Sequence, residues 1–475
     1  MLFTSCVFLF LFLPIVLGVY MLLRTTRLRN MFLMAASLFF YSWGEIQYCW
    51  VMLAVIVVNY IAAILIEGTQ TTRNRKIIMA LTVVADLATL AAFKYAGFFT
   101  QNANSMLAGL SMPQITIGAM HLPLGISFFV FHSLSYVVDV YRKTASAQRN
   151  PFNMALYISL FPQLVAGPIV RYHEIKEQLT ERTHTVAKFA EGIRRFVTGL
   201  GKKMLIANAL AIPADKIFAL PASEVTTALA WLATICYTFQ IYFDFSGYSD
   251  MAVGLGLMFG FRLPENFNYP YVARSMREFW QRWHMSLSNW FRDYLYIPLG
   301  GNRVPGWRMS LNLVIVFFLC GLWHGASWQF VAWGLYHGSF LGAERAFGAR
   351  ILDKLWLPFR HAYVAIVVLF SWVLFRADSF SQAMVFYKAM LGFGSVSASY
   401  PVAMYLNAEL SILLAVALIC ALPLQMWIAQ SADKSPKLTG SPVFALRTAW
   451  CTAVFLFAIV EIAAGTYNPF IYFRF

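Results

Sequence analysis

Apolar stretches long enough to cross a bilayer follow one another from residue 1 to residue 465, parted mostly by short basic loops, and this pattern admits few folds. A hydrocarbon core of about 30 Å takes about 20 apolar residues of helix. Residues 1–23, 46–66 and 77–97 meet that length, and residues 31–44 can span with aromatic ends. Further spans are predicted at 122–140, 222–245, 249–261, 309–323, 328–343, 359–376, 405–429 and 446–465. The chain is 60% hydrophobic and only 12% charged, where a soluble protein is about a quarter charged. No hydrophilic module interrupts the series, so the reading is one all-α, polytopic transmembrane domain over residues 1–475. Within it, 1–150 holds the N-terminal spans, 151–345 a re-entrant and central core, and 346–475 the C-terminal spans.

Charge placement gives an orientation. The net charge of +15 would raise nucleic-acid binding in a soluble protein, but here the basic residues sit in short loops beside spans, and positive-inside topology explains them. Arg24, Arg27, Arg29, Arg73, Arg75 and Lys76 mark two cytoplasmic loops, whereas residues 100–121 carry no Asp, Glu, Lys or Arg. Lys434, Lys437 and Arg447 mark the last cytoplasmic loop. The first span is preceded by no Lys or Arg, the reverse of a secretory signal, and is expected to stay attached with its amino end outside. Both flanks of residues 152–170 are basic, and Pro162, Gly167 and Pro168 would break a regular helix there. A re-entrant segment beside a cavity is therefore expected.

Polar residues inside a membrane are expensive, so each is a candidate for function. His324 closes an apolar run within GLWHGASWQFVAWGLYHG, and the following Gly325-Ala326-Ser327 can open the helix so that the imidazole faces a cavity. A neutral imidazole there can take a proton from an attacking hydroxyl; the bland alternative is a histidine satisfied by a neighbouring carbonyl. The run REFWQRWHMSLSNWFRDYLYIPLGG, 277–301, reads as an amphipathic interfacial helix. Trp280, Trp283, His284, Leu287, Trp290, Phe291, Tyr294 and Leu295 fall on one arc, with Arg282, Ser286, Asn289, Arg292 and Asp293 opposite. His284 is the strongly polar member of the aromatic arc, and packing in an aromatic core is the competing account of it. Arg282, Arg292 and Arg303 either anchor the chain to the membrane or attract a phosphate-bearing acyl donor. Asp244 and Asp250, in QIYFDFSGYSD at 240–250, read equally as the walls of a water-filled passage or as hydrogen-bond partners. Cys320, four residues before His324, admits a thiol–base acyl carrier, although a lone cysteine is commonly a small buried apolar residue. Cys6, Cys49, Cys236, Cys320, Cys420 and Cys451 show no paired or metal-ligand spacing, so no disulfide framework and no metal site is expected.

Several long segments in order resemble the membrane-bound O-acyltransferase family, in its bacterial branch that acetylates exported alginate. They are LFTSCVFLFLFLP at 2–14, LPLGISFFVFHSLSYVVDVYR at 122–142, LFPQLVAGPIVR at 160–171, YFDFSGYSDMAVGLGLMFGFRLPENFNYPY at 242–271, REFWQRWHMSLSNWFRDYLYIPLGGNR at 277–303, LWHGASWQFVAWGLYHG at 322–338 and the ending FIYFRF. The resemblance implies a ring of about 10–12 tilted helices, with re-entrant segments, around a central funnel. It implies an O-acetyltransferase whose essential histidine is His324, with His284 at the second characteristic polar position and His337 structural; His132 receives no role. Arg282, Asn289 and Trp323 are the candidates for donor contacts. By the same resemblance the donor is acetyl-CoA as a substrate, with no resident cofactor. The acceptor is an exported polysaccharide, reached through a periplasmic SGNH-type partner, and the protein resides in a bacterial inner membrane. Two other readings stand beside it: a transporter or flippase without acyl chemistry, and a fatty acyl or D-alanyl transferase.

Overall fold

The computed structural model describes residues 1–116, 118, 121–348, 352–396, 399–424, 441–465 and 471. Lys434, Lys437 and most of the aromatic ending lie outside the described residues. Among those residues the regular structure is entirely helical. Five helical stretches are long and apolar enough to cross a membrane: Thr26–Gly68, Thr72–Gly109, Gly306–His324, Leu357–Arg376 and Phe444–Ala463. Their outer faces carry large apolar side chains such as Trp50, Leu81, Ile366 and Trp450, all exposed. An apolar surface of this extent is stable against lipid and not against water, so the protein is a multi-pass membrane protein.

The chain forms two compact units. The first comprises Met1–Ile193, Ala252–Pro264 and Gly325–Ser327. In it, helices Thr26–Glu45, Cys49–Gly68, Thr72–Gly109 and Ile126–Arg142 precede the predicted broken segment. That segment is present as Pro151–Ser159, Phe161–Leu164 and Tyr172–Ile175, joined by irregular chain. The backbone groups released at the breaks are re-satisfied by side chains, which is what permits irregular backbone inside a membrane protein. The Tyr157 hydroxyl donates to the Val170 carbonyl at 2.9 Å, the Gln163 amide donates to the Tyr157 carbonyl at 2.5 Å, and His132 Nε2 accepts the Val170 N–H at 3.3 Å. His132 thereby gains a structural task. Leu160, Phe161, Gln163 and Leu164 are fully buried; the break is enclosed in protein instead of lining one of the cavities described below.

The second unit comprises Arg194–Met251, Glu265–His324 and Trp328–Phe475. Two spans expected at 222–245 and 249–261 are instead one helix, Thr227–Met258. The polar run within it does not break the helix because its charges are neutralised from outside. Lys203 pairs with Asp244, and Arg195 and Lys202 reach Asp250 at 2.8 and 2.7 Å. Helices Gly306–His324 and Trp328–Ala343 form a hairpin in near backbone contact. A Cβ at Gly321 would fall 2.2 Å from the Phe330 carbonyl oxygen, and one at Gly334 would fall 2.2 Å from that of Phe317. Both positions require glycine, and the closeness fixes where the hairpin's aromatic residues meet His324.

Candidate active site

His324 is the last residue of its helix, buried to 7% exposure. Its imidazole sits in an aromatic cage, with Trp323, Trp333 and Phe375 edge-on at centroid distances of 5.0, 5.1 and 5.3 Å. The ring faces a cavity of about 20 Å³ walled by Phe245, Trp283, Trp333, Trp372 and Phe375. That space holds about one water-sized group. His284 lies beside it, its ring centroid 6.4 Å from that of His324.

The chain around His284 departs from the single amphipathic helix expected over 277–301. It forms two short helices, Met276–Arg282 and Met285–Phe291, then a wider turn at Arg292–Tyr296. His284 occupies the junction with φ 44° and ψ 52°, a left-handed conformation rare for any residue but glycine. The junction re-phases the faces. Ser286, expected outside, is buried, whereas Tyr294 and Leu295 are half-exposed. His284 is itself fully buried, and burial pushes its imidazole down to about 3, so it is neutral across the physiological range.

A second, much larger cavity of about 1120 Å³ opens in the same unit. Arg277, Arg292, Arg345 and Arg360 stand along its walls with Asn289 and Tyr296, and its apolar part runs past Phe317 to Cys320. Cys320 precedes His324 by about one helical turn. Trp280 lines the large cavity and Trp333 the small one, their rings 5.8 Å apart. His337 braces this partition: its Nδ1 accepts the Trp280 indole N–H at 3.3 Å, and its ring lies 4.8 Å from that of Trp333.

The residues singled out in the sequence divide accordingly. His324 lines the small cavity, and His284 and Trp323 pack against it from behind that wall, their ring centroids 6.4 and 5.0 Å from that of His324 and 6.1 Å from each other. Asn289 and Arg292 line the large one. Arg282 is instead held by Glu278 at 2.9 Å and by the Asn268 carbonyl at 3.0 Å. Arg277, Arg345 and Arg360 were not singled out; they come together from distant segments, and no local pattern announces them. Glu344, which accepts the Met276 and Arg277 N–H groups at 2.6 and 3.1 Å, ties two of those segments together.

The sequence profile of the membrane-bound O-acyltransferase family matches residues 35–386. The protein of Azotobacter vinelandii named "Probable alginate O-acetylase AlgI" is 41% identical over 503 residues, with 100% of both chains covered. Its namesake from Pseudomonas aeruginosa is 45% identical over 396 residues, covering 83% of this chain and 76% of that protein. A "Peptidoglycan O-acetyltransferase" of Helicobacter pylori is 36% identical over 433 residues, covering 84% and 81%. A profile match across most of the chain, joined to full-length similarity of this order, places the chain in the membrane-bound O-acyltransferase family, and it is an O-acyltransferase.

Proposed function

We propose that the protein takes acetyl from acetyl-CoA on the cytoplasmic side of a bacterial inner membrane and passes it to an acceptor hydroxyl reached from the other side. The chemistry that fits is direct transfer. His324 removes the hydroxyl proton as the oxygen attacks the thioester carbonyl, the C–S bond breaks, and the proton returns to the departing thiolate. The carrying observation is the large cavity lined both by Arg277, Arg292, Arg345 and Arg360 and by Cys320, about one turn before His324. Guanidinium groups suit the phosphates of the donor, and the apolar end suits its thioester arm. The acceptor is an exported polysaccharide or the serine of a periplasmic SGNH-type partner that hands acetyl to it; alginate is the polymer named for two of the relatives above. Incubating purified protein with acetyl-labelled acetyl-CoA tests the reading against a transporter. Transfer or hydrolysis supports it, and intact thioester after many turnover times refutes it.

Two variants probe the walls. Arg277→Glu combined with Arg345→Glu replaces two positive charges facing the large cavity with two negative ones. Each charge-assisted contact is worth about 1.5–3 kcal/mol, so KM for acetyl-CoA is expected to rise about tenfold or more with kcat little changed. Unaltered KM would place the donor elsewhere. Trp333 bounds the small cavity, and Trp333→Leu makes room for a longer acyl group. A methylene in a closed pocket decides about 10–200-fold, so the propionyl-to-acetyl rate ratio should climb at least about tenfold in competition assays; a constant ratio removes Trp333 as the size limit.

A further inference from the structure

Asn266 lies in the irregular chain after helix Thr227–Met258 and is 1% exposed. Its side chain meets the backbone N–H of Ser286 at 3.2 Å. An amide N–H can only donate, so the atom facing it is the carbonyl oxygen Oδ1 and not the amide nitrogen. The opposite end agrees, because Asn266 Nδ2 donates to Ser249 Oγ at 3.0 Å. The orientation of the amide is thus fixed by its partners.

That orientation decides the state of His284. Its Nδ1 lies 3.1 Å from Asn266 Oδ1, an atom that offers only lone pairs, so Nδ1 must carry the hydrogen. In the neutral ring the other nitrogen, Nε2, is then the unprotonated one. Asn266 also holds the left-handed junction. Its backbone carbonyl accepts the Met285 N–H at 2.9 Å, and Oδ1 accepts the Ser286 hydroxyl at 2.9 Å. Ser249, Asn266, His284 and Ser286 are all buried, so water does not compete for these bonds. Ser249 thus aligns the amide that aligns the imidazole.

We infer that Asn266 is a positioning residue of the acyl-transfer site. It locks His284 as the Nδ1–H tautomer, so that Nε2 is the nitrogen able to accept a proton beside His324. The inference rests on the proposed transfer reaction, to which it adds that His284, its ring centroid 6.4 Å from that of His324, relays the proton that His324 takes up.

The test compares Asn266→Asp, which keeps the acceptor, with Asn266→Leu, which removes it. The Asp variant is expected to stay within a few-fold of wild type, while the Leu variant loses about 100-fold in kcat with KM for acetyl-CoA unchanged. A merely structural role would lower the active fraction of both without that split. Undiminished kcat in the Leu variant overturns the inference. Nitrogen-15 NMR of histidine-labelled protein, with His284→Gln as the difference control, reads the tautomer directly. A protonated Nδ1 supports the assignment and a protonated Nε2 overturns it, and the unmutated protein carries this arm even if the Leu variant fails to insert. Full activity of His284→Gln would instead refute the underlying role of His284, while the spectrum would still judge Asn266.

Discussion

Replacing His324 with alanine is expected to reduce acyl transfer by at least about 10²–10⁴-fold, the usual worth of a positioned general base. Among the described residues that line the small cavity, His324 is the one whose side chain can accept a proton, since the indoles of Trp283, Trp333 and Trp372 only donate. Alanine also empties part of an aromatic cage. The fold should survive, because His324 ends its helix and the hairpin is held by the glycine contacts at Gly321 and Gly334. A His324→Gln variant keeps much of the volume while removing the base and should be equally inactive. Label transfer from acetyl-CoA, measured beside size-exclusion profiles in detergent, separates loss of chemistry from loss of structure. A well-folded alanine variant with near-normal transfer would end the assignment of His324 as base.

The spans were legible because hydropathy over about 20 residues is a local property and the bilayer allows no other use for it. His324 was legible for the same reason: an imidazole closing an apolar run is conspicuous. The helix break at His284 was not, because the 277–301 pattern satisfies a helical period throughout. What breaks it is Asn266, 18 residues upstream, which captures the 285 and 286 N–H groups. The continuity of Thr227–Met258 was hidden likewise. Asp244 looks intolerable in an apolar helix until Lys203, 41 positions away, is known to stand against it. The large cavity needs Arg277, Arg345 and Arg360 at once, an assembly that only the fold creates.

Asp244→Asn is expected to destabilise the protein by about 3–5 kcal/mol, because it removes the negative member of a buried ion pair and with it the Coulomb attraction that offsets the burial of Lys203. Both side chains are nearly inaccessible, Lys203 at 4% and Asp244 at 2% exposure. Asp244 Oδ2 also accepts the Ile471 N–H at 3.0 Å, a bond that the amide oxygen of asparagine can keep, so the expected loss belongs to the ion pair. Asp250 should matter less: its partners Arg195 and Lys202 are partly exposed, and water can substitute for a lost bond there. The double variant Lys203→Met with Asp244→Leu removes both charges together, and apolar replacement of a buried pair is often neutral. Thermal inactivation in detergent should therefore show a large loss for the single variant and recovery for the double one. Activity of the double variant then decides what the pair is for. Restored stability with restored transfer makes it a structural clamp, whereas restored stability without transfer would mean that the carboxylate serves the passage of substrate, as a transport path would require.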